Sequence, residues 1–228
     1  MPPSPARAWR RRAAGMVAAA ALVAVDFNGL AGGAPSPALA PARRPPVVAG
    51  GSHTCALLDT GKVKCWGAGS YGRLGYGDRE NRGDEAGEMG SRLPEVDLGL
   101  GASAIQLAAG GQHTCALLDT GKAKCWGDGA DGQLGYGDWR GRGGEAGEMG
   151  SRLPEVDLGL GATAVQLAAG WRHTCALLET GKVKCWGWGD DGRLGYGDTY
   201  SRGSYARSMG SRLPEVDLGP NATAVQLA

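Results

Sequence analysis

Aromatic side chains are scarce in this chain of 228 residues: there is one Phe, Phe27, and Phe, Trp and Tyr together make up 6%. A core of stacked rings is thereby excluded, and small residues must do most of the packing. Net charge is scarce too, at +1, but it is unevenly spread. Residues 1–47 hold six Arg and one Asp, which leaves 18 basic against 22 acidic residues in 48–228. A basic balance is the electrostatic footprint of nucleic-acid binding, and the main part of the chain lacks it. No C-x2-C zinc knuckle, no Ser-His-Asp order and no paired-carboxylate signature is present. No enzyme class or cofactor is indicated.

Glycine is abundant, with 42 residues against an average of about 7%. Without a collagen triplet, such content implies many turns, as in glycine-punctuated all-β repeat folds. Repetition is the dominant feature. "HTCALLDTGKVKCWG" at 53–67 returns almost unchanged twice at a spacing of 60 residues, and "MGSRLPEVDLG" is identical at 89–99, 149–159 and 209–219. A fixed period without insertions signals a solenoid, propeller or array whose units bury apolar surface against their neighbours. Within one period, 105–109, 113–118, 122–126 and 153–158 read as strands between glycine-rich turns. Four short strands per unit match a propeller blade.

The paired cysteines raise a chemical question. If Leu58 and Lys62 flank a three-residue loop with Gly61 in the left-handed region, the strands pair residues whose numbers sum to 120, and Cys55 faces Cys65. The pair falls at a non-hydrogen-bonded position, with Cα atoms about 4.5 Å apart, within disulfide range. By the period, Gly121 and Gly181 set the same register for Cys115 with Cys125 and for Cys175 with Cys185. A zinc site built from His53, Cys55 and Cys65 has the right ligand types, and buried free thiols are the third reading. An even set of six cysteines behind an export signal favours three local bridges and no bound metal. His53, His113 and His173 are then buried strand residues linking strands by hydrogen bonds, and Trp66, Trp126 and Trp186 are structural.

The export signal is read from the N-terminus. Arg7, Arg10, Arg11 and Arg12 precede an apolar stretch over residues 13–25, which is too short for the roughly 20 residues that span a bilayer. Residues 1–31 are expected to be a signal peptide or N-terminal hydrophobic segment, and 32–47 a spacer rich in Pro, Ala and Arg. Export to the medium, the periplasm or the cell surface follows, or anchoring if the leader is retained. Repeats are expected at 48–107, 108–167 and 168–228, the last including the start of a fourth unit at 224–228.

"AAGGQHTCALLDTGKAKCWGDGADGQLGYGD" at 108–138 resembles the repeat of the regulator of chromosome condensation family. The likeness lies in the glycine before the histidine, the His-x-x-Ala-Leu strand, the Trp-Gly step and the Gly-x-Leu-Gly-x-Gly turn, and it covers 48–228. A cysteine pair in each repeat resembles the secreted bacterial type. The resemblance implies β-propeller blades of a ring that in the family usually has seven. Family members range from exchange factors for small GTPases to light sensors and enzyme inhibitors. Exchange-factor residues lie outside the repeat consensus, so none maps onto this chain. Three repeats cannot close a ring, for which about four to eight blades are needed. An incomplete or open array is therefore expected, completed by missing repeats or by a partner chain.

On a shared scaffold, the loops that differ between copies are the candidates for recognition. Tyr71, Arg79, Trp139, Arg140, Trp171, Arg172, Trp188, Tyr200 and Tyr205 are each specific to one copy. Trp, Tyr and Arg are also the residue types enriched in binding hot spots. A non-catalytic exported protein that binds a protein or another surface macromolecule through its blade loops is the primary expectation. An intracellular regulator of the nucleotide-exchange type and a His/Cys metal protein are the alternatives.

Overall fold

A computed structural model describes residues 47–228. The leader over 1–31 and all but the last residue of the spacer lie outside the described residues. Those described form three three-stranded antiparallel sheets, termed blades, each in chain order. Blade 1 contains β1 (Val47–Ala49), β2 (His53–Leu57) and β3 (Val63–Gly67). Blade 2 contains β4 (Ala104–Ala109), β5 (His113–Leu118) and β6 (Ala123–Gly127). Blade 3 contains β7 (Ala164–Ala169), β8 (His173–Leu178) and β9 (Val183–Gly187). Among the described residues the three sheets do not close into a ring.

The central hairpin has the register read from the sequence. Leu58 N–H donates to the Lys62 carbonyl at 2.8 Å, and Gly61 turns the chain at φ +75°. β2 and β3 pair Cys55 with Cys65 across the ladder, with Cα atoms 4.1 Å apart. The other two blades repeat the pairing, and all six cysteines are joined in disulfides.

The fourth strand is not there. Residues 153–158, expected as a strand, lie outside the ladder, as do their equivalents. Pro94 has no N–H to offer, and the segment makes one backbone bond to β3, from Val96 N–H to the Val63 carbonyl at 2.8 Å. Between them stands a tyrosine. The Tyr76 hydroxyl accepts from Cys65 N–H at 2.9 Å and donates to the Cys65 carbonyl at 2.8 Å, taking both groups that a fourth strand would have paired. Further along, Gly67 and Arg82 exchange both backbone bonds. The outer edge of β3 is thus satisfied piecewise by a loop, a side chain and a two-residue bridge.

The core lies between blades, not within them. One apolar cluster mixes Leu74, Val96 and Leu98 of blade 1 with Leu107, Trp126 and Met149 of blade 2. Another does the same for blades 2 and 3, through Leu134, Val156, Trp186 and Met209. A recurring lock fixes the spacing. Gly75, at φ +78°, leaves a hollow that a Cβ would fill, and into it press Trp126 and Met149 of the next blade; Gly135 receives Trp186 and Met209 in the same way. Blade 2 is covered on both sides, and every residue of β5 and β6 is buried; β9 of blade 3 is buried throughout as well, whereas β2, β3 and β8 are buried only in part.

Candidate functional site

The recurring polar residues serve the joints between blades. His53 Nε2 lies 2.7 Å from Thr114 Oγ1, and that hydroxyl donates to the Arg73 carbonyl at 3.0 Å. With the threonine proton committed there, Nε2 must carry the imidazole proton and donate to Thr114. His113, Thr174 and the Gln133 carbonyl repeat the relay, at 2.9 Å for each step. The same two carbonyls also accept from the Trp126 and Trp186 indoles, at 2.9 and 3.0 Å. Burial, helped by the Arg73 charge, pushes His53 down to about 4. Burial, then the neighbouring His53 and His173, pushes His113 down to about 3. His173 is lowered by burial and then by Arg193. His53 and His113 therefore link strands of neighbouring blades in their neutral form, whereas His173, expected to be buried as well, is only partly buried. With every cysteine oxidised, no thiolate remains to join these imidazoles in a zinc site.

Several joint residues carry no motif by which sequence reasoning could single them out. The Gln106 side chain mimics a strand, donating to the Leu167 carbonyl at 3.0 Å and accepting from Leu167 N–H at 2.9 Å. Lys124 Nζ caps the carbonyls of Leu98 and Gly150, at 2.8 and 2.9 Å. Tyr76, Tyr136 and Tyr196 each clamp a cysteine backbone under an arginine guanidinium, and burial raises all three, Tyr76 to about 12. Recurrence at the 60-residue period is the signal that could have marked them.

The divergent loops form a surface of their own. Ala68 N–H donates to the Ser52 carbonyl, and Gly69 N–H to Asn81 Oδ1 at 3.1 Å, so segments 50–52, 68–73 and 79–82 meet at one end of blade 1. Trp188 with Arg172 and Gly189 with Ser201 repeat this in blade 3. The hairpins at 58–62 and the invariant "PEVDLG" segments lie at the other end, where Ala104 N–H meets the Gly61 carbonyl.

The copy-specific residues divide between a centre and a rim at the divergent end. Trp171, exposed, lies across Gly51 and Gly111, where any Cβ would strike its ring. Arg172 pairs with Asp131 at 3.1 Å and lies over Trp188, whose ring is also covered by Arg193 at 4.1 Å. Tyr71, exposed at a left-handed φ of +63°, has Arg73 over its ring at 5.6 Å. On the rim stand Trp139, Arg140 and Tyr200, all exposed, and Arg79, which reaches Glu145 of blade 2 at 3.6 Å. Tyr205 is not part of this group; it sits past the Gly187–Arg202 bridge, beside Gly137 of blade 2.

Comparison with known proteins gives a consistent result. The regulator of chromosome condensation (RCC1) repeat matches at residues 47–73, 104–133 and 164–193. The human E3 ubiquitin-protein ligase HERC2 is 35% identical over 154 residues, covering 66% of this chain and 3% of that protein. Mouse RCC1 domain-containing protein 1 is 33% identical over 180 residues, covering 67% of this chain and 46% of that one. The crystal structure of Prp20p from Saccharomyces cerevisiae superposes with a TM-score of 0.54 at 19% identity, over 75% of this chain and 37% of Prp20p. The last likeness is one of fold. The chain spans less than half the length of each of these relatives.

Proposed function

We propose, from the premise that this chain carries three RCC1 repeats arranged as an incomplete β-propeller, that it is an exported, non-catalytic binding protein whose recognition surface is the divergent end of its blades. The observation that carries this reading is the sorting of sequence variation. Residues shared by all copies hold the blades together, while copy-specific Trp, Tyr and Arg side chains stand at one end on loops fixed by backbone hydrogen bonds. Rigid loops lose little entropy on binding, and large aromatic side chains give most energy per contact. A macromolecular partner, rather than a small molecule, fits a surface of this breadth. Export is supported by the leader-like N-terminus and by three disulfides, which persist in oxidising compartments.

The relatives point to binding without naming the partner. Prp20p is described with binding to Gsp1p and histones, but 19% identity carries only its fold here. Ligase activity belongs to HERC2, of which 3% is aligned.

A photo-crosslinking amino acid placed at 139 or 200 is the direct test, with 100 and 160 at the invariant end as controls, because Leu100 and Leu160 are fully exposed. Incubated with the cell-surface and secreted fraction of the source organism, the divergent-end positions should capture one discrete partner and the controls none. Equal capture from both ends, or from neither, would overturn the reading. N-terminal sequencing of the mature protein should show the leader removed.

A further inference from the structure

The three equivalent turns at the divergent end treat one charge differently. Each turn places a residue at 71, 131 or 191 and another at 73, 133 or 193. In blade 3 these are Asp191 and Arg193, joined as an ion pair at 2.7 Å. In blade 2 they are Asp131 and Gln133; the glutamine is neutral, and the aspartate pairs instead with Arg172 at 3.1 Å. In blade 1 they are Tyr71 and Arg73, so the cation is kept and its carboxylate is gone.

Arg73 is only 3% exposed, yet among the described residues it has no ion pair. Its guanidinium donates to three neutral oxygens: the Ser70 carbonyl at 2.9 Å, the Ser70 hydroxyl at 2.8 Å and, at the limit of a hydrogen bond, the Gly111 carbonyl at 3.5 Å. Two of its five N–H groups, one on each terminal nitrogen, find no partner there. Asp128, whose charge reaches it, commits its two oxygens to Ala130 N–H and the Gln133 amide. A buried cation without a counter-ion is destabilising. The joint does not require one, because what it uses is the carbonyl of residue 73, and Gln133 supplies the same group at the second joint.

The residue in the counter-ion's place is a second departure. Tyr71 holds a φ of +63°, as Asp191 holds +60°. Aspartate visits the left-handed region readily, whereas a bulky aromatic residue is strained there. Strain of this kind gathers at ligand sites. The Tyr71 ring is 51% exposed and lies 5.6 Å from the guanidinium. Beside it, Gly72 abuts Gly143 and Gly144, so the turn is held at the joint between blades 1 and 2 and not at an end of the array.

From the missing carboxylate we infer that Arg73 binds an aspartate or glutamate side chain of a partner protein, the exposed Tyr71 ring swinging aside to admit it. The inference rests on the divergent end being the recognition surface, and it gives that surface a chemistry: the segment that docks there is acidic. A carboxylate is also what this protein itself sets against the equivalent arginine of blade 3. The two spare N–H groups of Arg73 suffice for its two oxygens.

The test pans a random peptide library on the full chain and measures the selected peptides by fluorescence polarisation. Peptides that bind the parent should share an Asp or Glu, and changing it to Asn or Gln should weaken binding roughly thirtyfold or more. Arg73→Gln, which copies blade 2, should keep the fold by far-UV circular dichroism and bind the acidic and amide peptides alike. Tyr71→Asp, which copies blade 3, should raise the melting temperature and abolish binding of the acidic peptides, because the site then holds its own carboxylate. Glutarate should compete with the peptides, and inorganic phosphate should not. Selection of no acidic peptide overturns the inference, and so does an Arg73→Gln chain that still discriminates, a Tyr71→Asp chain that binds like the parent, or displacement by phosphate. Acidic peptides that depend on Arg73, together with photo-crosslinking that captures nothing, would uphold the carboxylate site and overturn only the reading on which it rests.

Discussion

At the scale of single residues, one hydroxyl or one imidazole stands where a repeat protein would be expected to use backbone. The tyrosine hydroxyl at the edge of each third strand makes both bonds to a cysteine peptide group, so removing it strands two buried backbone groups at once. Tyr136→Phe, in the doubly covered blade, should cost about 1–3 kcal/mol in urea unfolding, with no change in fold. The histidines set the response to acid. Their folded values are lowered, to about 4 for His53 and about 3 for His113, from 6.5 when unfolded. Between the two limits the unfolded chain binds more protons. Stability is therefore complete above about 6.5 and is lost as the pH falls towards 4. The melting temperature should drop through that window, and a His53→Gln/His113→Gln double variant should flatten the drop.

At the scale of elements, position in the array decides what identical sequences do. Trp126 seals a joint and is fully buried, whereas Trp66, in nearly the same local sequence, has no preceding blade among the described residues and is only partly covered by them. Trp126→Ala should cost about 3–5 kcal/mol in urea unfolding at dilution, and Trp66→Ala much less. The hairpin at 58–62 could be read from the sequence because glycine at a left-handed position and a counted register leave little freedom. Residues 153–158 could not, because an alternating apolar pattern records which side chains are buried and not whether the backbone joins a ladder. Here Pro154 and the intervening Tyr136 hydroxyl decide that, and neither alters the pattern. Thr114 was invisible for a related reason: its partner, His53, is 61 positions away, and only the period connects them.

At the scale of the whole molecule, three blades share interiors that no blade completes alone. The fold class is legible in the repeat, and so is the divergence of the loops. The gathering of Trp171, Arg172 and Trp188 at one end is not, since it depends on which carbonyls the 68–73 and 188–193 segments find. The blade-to-blade interior is most directly tested by hydrogen exchange of the full chain. HTCALL occurs in all three copies, so any difference in protection between them comes from neighbours and not from sequence. Amides of β5 and β6 should be the slowest to exchange, well behind those of β2, β3 and β8. Equal protection in the three blades would mean that each folds alone, and the shared interior described here would be contradicted.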